Sequence, residues 1–391
     1  MTTEQGAQTA RSDEVETKLK RLQQMLAVDP RNQSLRQHLF DTALAAKRFD
    51  FVKSEAELIL ASDPNDALAR FNLANAFIGS QRYEQALESL RVLQQAAPDE
   101  VGIRLNIALC HYCLRDYDRA RPLLESCYGA GVRTADALRL LISSYHHLGL
   151  VDEAVTIAND NAEAATSNPA LAGIYALLYI DADDIVRAAR WTKTALELNP
   201  DSIEGRLAQS TLLTARMETE KARAVLESLV REAPQLGRAW IGLGTLDLLA
   251  QDLPTAKQRL ARGLELMPTH VGSWHVLAWA QLLSGELDAA EENFNRALDL
   301  DRNFAETHGG LASVAAIRGE KIKAEHLIDV ALRLDQDCLS AKFAQSVLVG
   351  NAGDSAKARQ NILDTAATLS AKDGSALSRL LSRAAKGKPL S

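Results

Sequence analysis

The chain has 391 residues, a formal net charge of −7, 47% hydrophobic residues and only 5% aromatic ones. An acidic balance argues against a nucleic-acid footprint spread over the molecule, and the low aromatic content suits many small helix interfaces better than one large core. Four cysteines in so long a chain, two of them one helical turn apart at Cys110 and Cys113, make no disulfide framework and fit a reducing compartment.

Residues 1–12 are polar without periodicity and are expected to be disordered. Ser12 is a suitable N-cap, Asp13 and Glu14 follow in the favourable first turn, and Val15, Leu19, Leu22 and Met25 recur at helical spacing to about Val28. Residues 13–32 therefore predict a capping helix over whatever follows. Further on, the pattern of 237–270 fits almost everywhere when slid in steps of 34. Trp240, Leu243 and Gly244 share one face of a first helix, and Ala256, Leu260 and Gly263 share one face of a second. Asp252, Leu253 and Pro254 turn between them, which makes an αα-hairpin, and Pro268 ends it because proline cannot continue the hydrogen-bond ladder.

That punctuation recurs. Pro30, Pro64, Pro98, Pro200, Pro234 and Pro268 are separated by 34 or its multiples. A tighter column runs through Ala86, Ala120, Ala154, Ala188, Ala222, Ala256, Ala290, Ala324 and Ala358 at intervals of 34, with Val52 at its head. A small residue there lets two helices approach closely in every unit. Ten units result: 33–66, 67–100, 101–134, 135–168, 169–202, 203–236, 237–270, 271–304, 305–338 and 339–372. Stacked hairpins bury one continuous core at any length, so the usual expectation of two or three globular domains does not apply.

This unit resembles the tetratricopeptide repeat, a 34-residue hairpin opening on Trp-x-x-Leu-Gly-x-x-Tyr. Position 4 is Trp240 and Trp274; position 7 is Leu39, Leu73, Leu141, Leu243, Leu277 and Leu311; position 8 is small at Ala74, Ala108, Ala176, Gly244, Ala278 and Ala312. Position 11 is aromatic at Phe77, Tyr145 and Tyr179, and Gly149, Gly285, Gly319 and Gly353 share the turn column. Departures are local: Phe40 and Val52 stand where small residues belong, units 101–134, 135–168 and the last three lack the closing proline, and Gln345 and Ser346 break the last unit. The resemblance spans 340 of 391 residues and implies an all-α fold, an α-solenoid of ten hairpins forming a superhelix with a capping helix at each end.

Two places along the array read differently. Pro122 lies inside a second helix and predicts a kink, and the glycine-rich boundary 128–134 is read as an ordinary loop of altered shape, with a looser joint between 33–130 and 135–372 as the other reading. Beyond 372, Leu377, Leu380, Leu381 and Ala384 recur at helical spacing among Arg379, Arg383, Lys386 and Lys388. Residues 373–391 are expected to form a second capping helix; the alternative is weak contact of this basic tail with an anionic membrane surface or an acidic partner.

Signatures of chemistry are missing. The chain has no P-loop, G-x-G-x-x-G, H-E-x-x-H or G-x-S-x-G, and Gly353-Asp354-Ser355 falls on a hairpin turn. Cys110 and Cys113 lack a second pair at zinc spacing and read as small buried hydrophobes; the eight histidines are scattered. No catalytic site, cofactor or metal is expected, and hairpins leave too little chain for an enzyme domain. No run of about 20 apolar residues occurs and Met1 to Gln5 do not open a secretory leader, so a cytoplasmic location is expected.

In the family that the chain resembles, first helices line a concave groove through positions 2, 5, 6, 9, 12 and 13. Units 33–66 to 135–168 place Gln37, Asp41, Asn72, Asn75, Asn106, Tyr112, Arg139, Ser143 and His146 there, a polar strip suited to an extended peptide. Units 169–202 to 271–304 place Ile174, Leu177, Ile180, Leu207, Ile241, Leu248, Val276, Trp279 and Leu282 there; that apolar half is either a partner site or buried against neighbouring first helices. Trp279 is the expected anchor, flanked by His275. The carboxylate clamp of some family members is not matched, because Phe71, Asp136 and Leu140 stand where its cations belong. The function implied is a non-catalytic protein scaffold or assembly chaperone holding a peptide or amphipathic helix of a client, alternatively a regulatory subunit of an enzyme complex, with self-association open and no nucleic acid.

Overall fold

The computed structural model describes residues 3–353, with side chains from Glu14 onward. Every regular element among them is an α-helix, and the helices gather into two compact units that divide between Asn161 and Ala162. The second helix expected in 339–372, Ala358 and the basic tail with Arg379, Arg383, Lys386 and Lys388 lie outside the described residues.

The first unit opens with α1 (Thr3–Val28) and continues as four hairpins: α2 (Gln33–Ala45) with α3 (Phe49–Ser62), α4 (Ala67–Gly79) with α5 (Tyr83–Ala96), α6 (Val101–Cys113) with α7 (Tyr117–Gly129), and α8 (Ala135–His147) with α9 (Val151–Asp160). The second holds the short α10 (Ala162–Ala165), then α11 (Pro169–Asp181) with α12 (Ile185–Leu198), α13 (Ile203–Ala215) with α14 (Thr219–Glu232), α15 (Gly237–Ala250) with α16 (Leu253–Leu266), α17 (Val271–Leu283) with α18 (Leu287–Leu300), α19 (Ala305–Ile317) with α20 (Lys321–Leu334), and α21 (Leu339–Asn351). Each first helix starts 34 residues after the last, so the sequence period is also the structural one.

Two differences from the sequence reading appear at once. The N-terminal helix begins at Thr3 rather than near Ser12. The stretch from Thr3 to Arg11 contains Glu, Gln, Ala and Arg and no proline, so an established helix extends backwards at little cost. The chain also divides at Asn161, a boundary the sequence reading did not anticipate. There α9 stops after ten residues and Asn161 leaves the helical region at φ −123°, ψ 27°. Residues 128–134 are held by a bond from Val132 N–H to the Cys127 carbonyl (3.1 Å) and by Arg133 lying 3.2 Å over the Tyr128 ring. Helix α7 continues through Pro122.

The reasons for the repeat are visible at single positions. Position 34 of each unit precedes a first helix: Asn32, Asp66, Thr134, Asn168 and Ser202 accept from the N–H three residues on and satisfy one orphan donor of that helix. Position 15 carries the hairpin turn and has positive φ in every unit, from Lys47 (56°) through Gln81 (61°) and Gly285 (79°) to Gly353 (97°). The alanine column is fully buried from Ala86 to Ala324, as is Val52. In several units position 4 donates to the carbonyl two residues before the end of the preceding unit. The Trp240 indole reaches the Pro234 carbonyl at 2.9 Å, that of Trp274 reaches Pro268 at 2.8 Å, and Arg36 reaches Pro30 at 2.8 Å. The tryptophans therefore clip consecutive units together as well as packing on them.

Candidate protein-docking face of the first helices

In the first unit the groove-facing positions carry polar side chains that stay in reach of solvent. Gln37 and Asp41 are exposed on α2 and bonded to each other at 2.6 Å. On the next two first helices the Asn106 amide donates to the Asn75 oxygen at 2.8 Å, linking α6 to α4, and both side chains are half-buried. That bond uses one donor of Asn106 and one acceptor site of Asn75, so the Asn75 NH₂ and the Asn106 oxygen keep capacity for a peptide backbone. Arg139, half-buried, lies 3.9 Å from the exposed Asp136 on α8. His146 ends the strip beside His147, with ring centroids 6.0 Å apart. Tyr117, at the start of α7, stacks on His147 at 4.3 Å and 12° and takes the edge of Tyr112 at 5.5 Å. Burial pushes the Tyr117 phenol up to about 12, so it stays protonated and can donate. Sequence reasoning missed Tyr117 because position 17 lies on a second helix; its only signal is an aromatic residue directly after the turn.

Asn72 departs from expectation. It is 1% exposed, and its amide donates to the Leu68 carbonyl one turn back at 2.9 Å, so it is spent within its own helix. Ser143 is buried as well.

In the second unit the expected apolar groove is largely filled. Leu248, Leu282, His275 and Trp279 are buried, Trp279 at 2% exposure, while Leu177 and Ile241 remain half-buried and pack on the Leu207–Leu243–Leu248 cluster. Trp279 cannot serve as an exposed anchor. Its ring meets Phe294 at 6.3 Å and Phe343 of α21 at 5.5 Å, and its indole donates to His275 Nε2 at 3.0 Å. The cause is Gly309-Gly310. A Cβ on Gly310 would lie 2.4 Å from the Phe294 ring of α18, and one on Gly309 would lie 2.5 Å from the Ala341 nitrogen, so Gly310 admits that ring and Gly309 lets α21 press onto the α19 backbone. Gly173 does the same between α11 and α13, where a Cβ would meet Glu204 at 2.5 Å. Across this face Arg238 of α15 pairs with Asp181 of α11 at 2.9 Å. The sequence reading left burial against neighbouring helices open, and the glycines at positions 5 and 6 were the signal for it.

His275 is neutral here: burial without a charged partner pulls its pKa down to about 3, and its Nδ1 has no hydrogen-bond partner. Burial raises the Cys110 and Cys338 thiols to about 12, which makes both inert packing groups. Among the described residues no three His, Cys, Asp or Glu side chains are placed to share a metal ion, and no helix is long and apolar enough to cross a membrane.

The tetratricopeptide repeat family pattern matches residues 37–101, 105–169 and 271–304. The chain carries tetratricopeptide repeats. Its repeats continue with the same helix period between and beyond the matched segments. Similar solved structures include a chain of the APC/C hetero-tetramer Cut9-Hcn1, with 16% identity over 89% of this chain and 81% of that one at a TM-score of 0.49. Another is a monomeric mutant of IFIT1 with Gppp-AAAA, with 13% identity over 90% of this chain and 89% of that one at a TM-score of 0.54. At such identity the second likeness shows the fold alone. No curated protein matches the sequence. Tetratricopeptide arrays bind other proteins, and this chain is a protein-interaction scaffold of that general kind.

Proposed function

We propose that this scaffold is a non-catalytic assembly chaperone, acting in the cytoplasm, that holds an extended segment of a client protein along α2, α4, α6 and α8. The observation that supports it is the Asn75–Asn106 bond between adjacent first helices, half-buried in a face whose neighbours Gln37, Asp41, Arg139 and His146 are polar. An extended backbone needs alternating donors and acceptors, and the two amides supply one of each. Tyr112 and Tyr117 add flat apolar area for a client side chain at the far end of the strip.

Affinity purification with the wild type and with Asn75→Ala/Asn106→Ala, read by mass spectrometry, tests this reading. The expected result is a client that the wild type recovers and the double variant loses while both melt alike. Equal recovery by the two baits would remove the groove from the account. The alternative, a regulatory subunit of an enzyme complex, predicts instead that an enzyme activity co-purifies and changes when the groove is altered.

A further inference from the structure

Position 24, on the second helix, holds Leu90, Leu124, Leu226, Leu260, Phe294 and Ile328 in six units, all buried, and Ala56 and Ala158 in two more, where position 7 of the following unit is the large Leu73 or Tyr175. In unit 169–202 the same position is Thr192. Position 7, on the first helix, is leucine, isoleucine or tyrosine in every unit from Leu39 to Leu311 except at Gln209. The two exceptions meet. Thr192 of α12 and Gln209 of α13 line one depression of about 390 Å³, with Leu196 and Leu213 on its apolar floor and the exposed Lys193 and Arg216 beside them.

The polar groups there are not equally committed. The Thr192 hydroxyl donates to the Ala188 carbonyl at 2.8 Å, but the Gln209 amide bonds to no described residue. Lys193 lies 3.7 Å from Glu197, whereas Arg216 makes no ion pair among the described residues; Glu218, two residues on, feels the Arg216 charge but pairs with Lys221 at 2.6 Å, which leaves Arg216 as the uncommitted cation of the rim. Gln209, Leu213 and Arg216 occupy positions 7, 11 and 14 of their unit, none of which faces the groove described above.

We propose that this depression is a second docking site, which receives a leucine or phenylalanine side chain of an acidic segment of a partner protein. Six other units fill the same place with a large side chain of their own, whereas here a threonine and a glutamine leave it open to an outside one. The floor accepts only an apolar side chain. Gln209 offers its backbone both a donor and an acceptor, and Arg216 with Lys193 selects carboxylates on the neighbouring residues. In a chain of net charge −7 an uncommitted cation at the rim favours acidic partners locally.

The test is selection of a phage-displayed dodecapeptide library on the full chain, with survivors resynthesised and measured by fluorescence polarisation. The expected survivors carry Leu or Phe next to Asp or Glu, and their binding weakens with salt. Thr192→Leu/Gln209→Leu, which restores the residues other units carry, is expected to weaken them about tenfold or more without lowering the melting temperature. The surface pair Lys193→Glu/Arg216→Glu leaves the core untouched and is expected to give a loss of similar size, while Asn75→Ala/Asn106→Ala leaves binding unchanged. The proposal is overturned if no such peptides emerge, if they bind either depression variant as tightly as the wild type, or if the asparagine variant alone abolishes binding.

Discussion

His275 and Gly310 show how single residues decide what the second unit can present. His275 sits among Trp279, Phe294 and Phe304 and is held neutral, with its pKa near 3 against an ordinary value of 6.5. A depressed histidine pKa means that the unfolded chain takes up the proton first as pH falls. Stability is therefore fully present above about pH 6.5 and is lost progressively down to about pH 3, with a slope of at most about 1.4 kcal/mol per pH unit from this one group. Urea unfolding from pH 7 to 4 is expected to show this slope in the wild type and a shallower one in His275→Phe; parallel curves would mean the ring is solvated. At Gly310 a methyl group would collide with the Phe294 ring, and Gly310→Ala is expected to cost about 1–3 kcal/mol. Combining it with Phe294→Leu should recover part of that loss, because the clash is with the ring.

At the scale of elements, the hairpin turn is the most repeated feature, and it is paid for differently from unit to unit. Position 15 is left-handed in all ten units, but only four of them put glycine there among Lys47, Gln81, Arg115, Gly149, Asp183, Met217, Gln251, Gly285, Gly319 and Gly353. An L-residue in that region costs about 1 kcal/mol, which glycine avoids. Gln81→Gly, at an exposed turn, is expected to stabilise the chain by about 0.5–1 kcal/mol, and Gly285→Ala to destabilise it by a similar amount, both by chemical denaturation. Much of this layer was legible beforehand. The alanine column, the proline stops and the glycine turns are local rules with a fixed period, so they stand in the sequence as columns. The role of position 4 was legible only as an aromatic preference, since its bond to a carbonyl of the preceding unit joins residues that the periodic pattern treats separately.

For the molecule as a whole, each unit keeps its own balance between open and filled first-helix faces. In the first unit, asparagine, glutamine and aspartate at the groove positions leave a polar strip in which Gln37, Asp41, Asn75 and Asn106 are exposed or half-buried. Asn72 was the exception, because whether an asparagine bonds its own helix or its neighbour depends on a rotamer that no pattern encodes. In the second unit, the apolar residues, for which the sequence left a partner face and burial both open, turn inward, because Gly173 and Gly309 let neighbouring first helices close over them. Hydrophobic residues at groove positions mark a binding face only when the helices beside them are held apart. The proposed client site thus rests on the first unit, and amide hydrogen exchange of the full chain with and without a recovered client segment tests it most directly. The account predicts added protection in α2, α4, α6 and α8, centred on Asn75 and Asn106; protection confined to α17, α19 and α21 would contradict it.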